Sequence, residues 1–325
     1  MNRLLKAALA AIAVALAGAA PVAAGEAYPA KPVKLVVTFP PGSTPDIVAR
    51  ALATRLQAAM GQPFVVENRA GAGGNIGADA VAKAVPDGYT LLVSTNGVFS
   101  INKSLYKSMP FDPDKDLAPI SLLATAPQML VVQPKLGVHS FQEFLDYARR
   151  NPGKLSYGSV GAGSASHLTM ELLKNAAGIS IVHVPYKGFP PAVTDMLAGN
   201  IDAMFAIIPG VLQHVKAGTM TGLAVTALKR SPLAPGVPSV AELGYPQLES
   251  LAWIGLAAPA GTPKGVIDRL STETIRGMHA AEVTGLLGKQ GFDVVAGSPE
   301  DFARWIRSEA DKWSKVVRLS GAKVD

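Results

Sequence analysis

The chain of 325 residues contains no cysteine. That absence excludes disulfides, a thiol nucleophile, cysteine-based metal centres and a lipid-modified cysteine anchor. Aromatic side chains make up only 6% of the residues, and Lys and Arg never gather into a block or a stripe interleaved with aromatics, which argues against nucleic acid as a partner. The five histidines (His139, His167, His183, His214, His279) are dispersed, with no pair at ligand spacing, so no metal site is expected. No G-x-x-x-x-G-K-[ST] phosphate loop occurs. Beyond the first two dozen residues, no apolar run is long enough to span a bilayer.

What is present begins with an export pattern. Arg3 and Lys6 precede an apolar run over residues 4–20, interrupted by Gly18 and Pro21 and followed by Val22-Ala23-Ala24 and Gly25-Glu26-Ala27. A positive start, a short apolar centre and small residues in that order define a secretory signal peptide. Residues 1–24 are predicted to be removed, with cleavage near Ala24 or Ala27, leaving the mature chain free in the periplasm. Losing Arg3 and Lys6 lowers the formal charge from +6 to +4, a mild bias that suits an anionic ligand. About 300 mature residues can bury an adequate core without disulfides, in one large or two ordinary domains.

Short β-branched runs alternate with helical periods, the pattern of an α/β architecture with largely parallel sheets. A strand over 33–39 precedes the turn Pro40-Pro41-Gly42-Ser43-Thr44-Pro45 and a helix over 46–60. Strands at 64–67 and 89–94 flank a glycine-rich turn at 71–75 and its helix. The scheme repeats with strands at 129–132, 155–159, 181–184, 201–206 and 223–226. Helices are predicted at 140–150, capped by Ser140 and Glu143, and at 166–177, 191–198 and 211–216. The Pro/Gly-rich segment 229–246 reads as a surface connection. A strand at 253–257 and helices at 263–279, 282–289 and 299–319 complete the chain, with Trp253, Trp305 and Trp313 at packing positions.

Two strand-to-helix junctions carry the chemistry. One is Phe39-Pro40-Pro41-Gly42-Ser43-Thr44-Pro45-Asp46 and the other runs from Gly158 to His167 through Ser159, Gly161, Gly163 and Ser164. Unpaired amides and the helix dipole at such places suit a carboxylate or phosphate, while Phe39 can wall a pocket. The same Ser, Thr and Asp residues also serve as ordinary caps. A periplasmic serine hydrolase built on Ser159 or Ser164 is the enzyme alternative, but the G-x-S-x-G elbow is absent and Ser164 and His167 stand at capping distance. Residues 71–76 and 161–166 each miss the third glycine of a dinucleotide fingerprint. Asp112-Pro113-Asp114-Lys115-Asp116 lacks the glycine and the bidentate Glu of a calcium loop and reads as a turn.

Several stretches in fixed order resemble one family. They are Tyr28-Pro29-x-Lys31-Pro32, Phe39-Pro40-Pro41-Gly42-x-x-x-Asp46-x-x-Ala49-Arg50, Glu67-Asn68-Arg69-x-Gly71-Ala72-Gly73-Gly74 and Pro86-Asp87-Gly88-Tyr89-Thr90. Later come Gly161-x-Gly163-Ser164-x-x-His167-Leu168, Val184-Pro185-Tyr186-Lys187-Gly188 and Trp253-x-Gly255-Leu256. This is similar to the Bug family, the periplasmic substrate-binding proteins of tripartite tricarboxylate transporters, across essentially the whole mature chain. The resemblance implies a two-domain periplasmic binding protein of the Venus-flytrap, type II-like form. Its discontinuous first domain covers 25–125 and 251–325, and its second covers 126–250. It further implies a monomeric carrier without cofactor or metal, not an enzyme, that delivers a small carboxylate to membrane permease subunits. By motif the ligand contacts fall on Gly42, Ser43, Thr44, Asp46, Ser159, Gly161, Gly163, Ser164 and His167, with Asn96, Tyr186 and Lys187 near the cleft. Ser43 and Pro45 depart from the family's commoner double-glycine turn. Ligand identity therefore stays open among di- and tricarboxylates, acidic amino acids and aromatic acids. An exported sensor serving a signalling partner would share the same fold and site.

Overall fold

The strand after Pro32 is built from Val33, Leu35, Val36 and Val37, all fully buried or nearly so, and its neighbours explain why. In the computed structural model, which describes residues 28–324, β1 (Val33–Val37) lies between β2 (Phe64–Asn68) and β3 (Thr90–Thr95), parallel to both. A strand covered on both faces must be apolar along its whole length rather than in alternation. The predicted signal peptide and its cleavage sites lie outside the described residues.

The longest strand, β4 (Leu117–Val132), organises the rest. The other strands are β5 (Ser156–Ser159), β6 (Val182–Pro185), β7 (Ala203–Ile207), β8 (Thr221–Val225), β9 (Leu251–Pro259) and β10 (Asp293–Val294). Their order is β2-β1-β3-β9-β4-β7-β5-β6, with β8 and β10 also pairing β4. Up to Pro127, β4 runs antiparallel to β9; from Gln128 onward it pairs with β7 and β8. The chain thus passes from one half of the sheet to the other at Pro127–Gln128 and returns at Leu251. From Lys31 onward the chain forms one compact unit.

Two expectations need correction. The sheet is mixed rather than largely parallel, because β4 is antiparallel to β7, β8, β9 and β10. The sequence pattern predicts strand only over the last four residues of β4; Pro119 and Pro127 are residues a central strand rarely holds. Both prolines are accommodated: the register shifts between Pro119 and Ser121, and Pro127 stands where the partners change. In the second half of β4, Leu130 and Val132 enter one core with Phe141, Phe144, Tyr157 and Leu173, while Met129 and Val131 enter another with Met196, Met204 and Val211.

The helices follow their patterns closely. Thr44–Met60 buries Val48, Ala49, Leu52, Ala53 and Leu56 and ends at Gly61 in the left-handed conformation that stops helices. In Phe141–Arg150 the Ser140 hydroxyl accepts from the Glu143 amide at 3.2 Å, and the Glu143 carboxylate accepts from the His139 amide at 2.7 Å. The reach-back bond of the capping box therefore lands one residue earlier than usual. Pro113–Asp116 is a helical turn capped by Asp112, and the Asp112 and Asp114 carboxylates receive Lys103 Nζ at 2.7 and 2.6 Å. Helix Ala165–Ala177 meets the carboxyl-terminal helix Pro299–Ser320 through one buried cluster that joins Leu168 to Ile101, Leu105, Trp313, Val316 and Val317.

Candidate functional site

The first junction turns at Gly42, whose φ of 78° is a conformation that disfavours any residue with a β-carbon. Its N–H donates to Asp46 Oδ2 at 2.9 Å. Arg50 grips the same carboxylate with Nε at 2.9 Å and Nη2 at 3.0 Å, and Asn68 Nδ2 donates to Oδ1 at 2.9 Å and to the Phe39 carbonyl at 2.9 Å. Burial alone would raise the Asp46 carboxyl, but the bonds from Arg50, Gly42 and Asn68 outweigh it and hold the group below its usual range. Asp46 is thus the bracket of the bend. Ser43 occupies the cap position of helix Thr44–Met60, yet its hydroxyl makes no capping bond and is buried without a partner. Pro45 has no N–H to satisfy. The amides of Thr44 and Asp46 have no partner among the described residues.

The second junction is tied down more tightly. Ser159 Oγ lies 2.7 Å from His183 Nε2 and accepts the Gly161 amide at 3.2 Å. The Val160 amide donates to Ser166 Oγ at 3.1 Å, and the Gly163 amide to His167 Nδ1 at 3.1 Å. Ser164 caps helix Ala165–Ala177 by accepting from the His167 amide, and donates to the Gly161 carbonyl at 2.6 Å. The amides left without partners among the described residues are that of Ala162 in the loop and those of Ala165 and Ser166 at the first turn of the helix. Burial depresses both imidazoles, His167 to about 3 and His183 to about 4. His167 is lowered further by His183 and Lys174. Both rings are therefore neutral at neutral pH, and His167 Nδ1 can accept.

The second junction meets the segment after β3, and that segment meets the glycine-rich turn beside Thr38. A β-carbon on Gly163 would stand 2.6 Å from Leu105 Cδ2 and 3.3 Å from Asn102 Oδ1, and one on Gly97 would lie 3.5 Å from that oxygen. Asn102 Nδ2 donates to the Gly73 carbonyl at 3.1 Å and to Asn75 Oδ1 at 2.7 Å. A β-carbon on Gly74 would lie 3.0 Å from Thr38 Oγ1, and Thr38 is hydrogen-bonded to Ser94 across β1 and β3. Asn96 follows the end of β3, at the start of the helical segment Gly97–Ile101. Asn96 is only 3% exposed, and its Nδ2 has no partner.

Other predicted residues take supporting positions. Phe39 and Tyr186 are half-buried and Lys187 is exposed. The Tyr186 phenol donates to Asp195 Oδ2 at 2.6 Å and is pushed up to about 12 by burial and by that bond, while its carbonyl lies beside Gly161. The sequence reading missed Asn102, His183 and Leu105, which act only through tertiary contact. Arg50 and Asn68 lay in the motifs but carried no assigned role. The hydrolase alternative loses its geometry as well. Ser159 and His183 have the separation of a nucleophile–base pair, but Ser159 is fully buried and no described carboxylate is bonded to His183. Ser164 is engaged by the His167 backbone rather than by its ring.

Residues 48–321 match the family model described as the tripartite tricarboxylate transporter family receptor, TctC. The chain belongs to that receptor family. Protein BugT of Bordetella pertussis is 39% identical over the full chain and 99% of its own length. The solved structure of Rpa4515 from R. palustris with adipate shares 37% identity and a TM-score of 0.83, covering 91% of this chain and 100% of that one. MatC (Rpa3494) from Rhodopseudomonas palustris with bound malate shares 31% identity and a TM-score of 0.80, covering 89% and 100%. The fold is therefore that of the TctC-type periplasmic binding proteins, a family of transporter receptors rather than of enzymes. No described helix of this member is long and apolar enough to cross a membrane.

Proposed function

We propose that this TctC-type receptor captures a small carboxylate in the periplasm and presents it to the membrane subunits of a tripartite tricarboxylate transporter. The observation that carries the reading is a set of donors without partners at both helix starts. They are the amides of Thr44, Asp46, Ala165 and Ser166, with the buried Ser43 hydroxyl beside the first pair. Helix amino termini favour negative charge through such amides and through the dipole. Relatives solved with adipate and with malate support a carboxylate in particular.

In this reading the chain acts as two lobes, residues 25–125 with 251–325 and residues 126–250, joined where β4 leaves β9 for β7 and β8. Gly42, Ser43, Thr44, the Asp46 amide and Asn96 supply one side of the site; Gly161, Gly163, Ser164 and the amides that follow supply the other. Phe39 walls it, while Lys187 and the Tyr186 backbone border it. Asp46, Ser159 and His167 serve by fixing the bends. Ligand free energy then favours the closed arrangement, which the permease reads. No reaction, metal or cofactor enters this account. The signal-peptide pattern supports the exported form, and a monomer is part of the same proposal.

A thermal-shift screen of the mature chain against di-, tri- and aromatic carboxylates tests the proposal. A ligand at about 100 times its Kd stabilises the native state by about 2.7 kcal/mol, a shift of several degrees. Ser164→Asp keeps a good cap residue. It also sets a second carboxylate near the bound one, where two charges about 4 Å apart at an effective dielectric near 20 repel by about 4 kcal/mol. The shift should vanish in that variant. Either a panel in which no carboxylate raises the melting temperature, or a Ser164→Asp protein that responds like the unmodified one, contradicts the proposal.

A further inference from the structure

We infer that Thr169, Gln128 and Ser250 are positioning residues for ligand capture. Together they clasp helix Ala165–Ala177, and so aim the free amides at its start, against the strands by which the chain crosses the sheet. The inference rests on the carboxylate reading above and deepens it with three residues that act from behind the bend.

The clasp lies where three segments meet. β4 leaves β9 at Pro127, opposite Leu251, and takes up β7 at Gln128, opposite Ile207. Thr226 follows the last residue of β8, and Ser250 precedes the first residue of β9. Their backbones are joined in turn: the Thr226 amide donates to the Gln128 carbonyl at 2.9 Å, and the Ser250 amide to the Thr226 carbonyl at 3.0 Å. The Thr226 hydroxyl closes this joint by accepting from the Gln128 amide at 2.9 Å and donating to the Ser250 carbonyl at 2.6 Å. Two side chains then reach from the joint to the helix. Gln128 Nε2 donates to Thr169 Oγ1 at 2.9 Å, and Ser250 Oγ lies 2.5 Å from the same oxygen. Thr169 stands one helical turn beyond the unpartnered amides of Ala165 and Ser166.

Burial gives the arrangement its weight. Gln128 is 2% exposed, and Thr169, Thr226 and Ser250 are fully buried. Such groups cost free energy in a dry interior unless their hydrogen bonds are made, a demand that valine or leucine in the same space would not impose. What the hydrogen bonds add is direction. Leu168, next to Thr169, packs in the cluster with Trp313, and apolar attraction of that kind is non-directional. Hydrogen bonds weaken steeply with angle and separation, and a satisfied buried network fixes one arrangement. Binding groups need support that holds them to within about 0.5 Å. The Thr169 hydroxyl supplies it by tying the helix to the crossing at Gln128 and to the return at Ser250.

Calorimetric titration of the mature chain with succinate, glutarate, citrate and 3-phenylpropionate identifies the acid bound most tightly. Three variants are then compared with that acid and by urea unfolding. Thr169→Ser keeps the hydroxyl and should bind as the unmodified chain does. Thr169→Val keeps the shape but leaves Gln128 Nε2 without its acceptor. Its unfolding midpoint should fall and its Kd should rise roughly tenfold, the scale of one hydrogen bond lost from a buried group. Gln128→Met, Thr169→Val and Ser250→Ala combined remove both partners of each lost bond. Stability should then return, while the Kd stays raised because the direction is still missing. A triple variant that regains affinity along with stability, or a folded Thr169→Val protein with an unchanged Kd, overturns the inference. Where Thr169→Val does not fold, the contrast between Thr169→Ser and the triple variant decides in the same way. Failure of all four acids to bind the unmodified chain instead defeats the carboxylate reading, and this inference with it.

Discussion

His167 and His183 stack with ring centroids 4.0 Å apart and an interplanar angle of 11°, with Tyr157 against His183 at 4.8 Å. The charged groups acting on them are Glu171 and Lys174, on the same helix as His167. Each imidazole holds a hydroxyl or an amide of the second bend, and each is kept neutral by burial. A histidine whose folded pKa lies below its ordinary 6.5 contributes stability that is complete above 6.5 and is lost as pH falls toward the folded value. Between pH 5 and 6, above the range where ordinary carboxyl groups titrate, unfolding should therefore take up nearly two protons through this pair. Stability should fall by roughly 2.3 kcal/mol over that pH unit. Urea unfolding of His167→Asn, whose amide oxygen can still accept from Gly163, should show about half that slope. An unchanged slope would mean that His167 is already protonated in the native protein. The sequence pointed to His167 by its place in the loop, but it gave no sign of His183. A lone histidine in a short strand acquires its role only when parallel pairing sets Tyr157 opposite it.

Glu309 on the carboxyl-terminal helix Pro299–Ser320 accepts from two indoles, Trp253 at 3.0 Å and Trp313 at 2.8 Å. Trp253 belongs to β9 and packs on Phe99 and Phe302, whereas Trp313 lies in the cluster with Leu168, one residue beyond His167. One helix thus braces the sheet and the back of the second bend. Trp313→Ala should cost about 3–5 kcal/mol, the range for emptying a buried aromatic site. It should also weaken ligand binding, because the cavity would open beneath helix Ala165–Ala177. Chemical denaturation and calorimetry check the two effects, and a loss below 1 kcal/mol would refute the bracing role. Elements with a clear period, such as Thr44–Met60 and Pro299–Ser320, were legible almost to the residue because each has one buried face and a recognisable cap. The front of β4 was not. Its residues are buried on both faces and carry two prolines, so neither alternation nor propensity marks them, and only pairing with β9 makes them a strand.

At the scale of the whole molecule, the two bends lie far apart in sequence, and the segment after β3 stands between the second bend and the glycine-rich turn next to Thr38. Leu105 and Asn102 meet Gly163, and Asn102 also meets Gly73. Small residues at strand–helix junctions made each bend visible in the sequence, and ordered motifs made the family visible. The packing of the second bend on the segment after β3 was not legible, because it depends on close approaches at Gly97 and Gly163 that a local pattern does not encode. Central to the account is one anion held at once by amides from both halves of the chain. Amide-resolved NMR of the 15N-labelled mature protein tests this most directly, by titration with the tightest-binding carboxylate from the screen. Thr44 and Asp46 on one side and Ala165 and Ser166 on the other should shift together, along curves that fit a single Kd. Shifts confined to one bend, or two bends that saturate at different ligand concentrations, would contradict it.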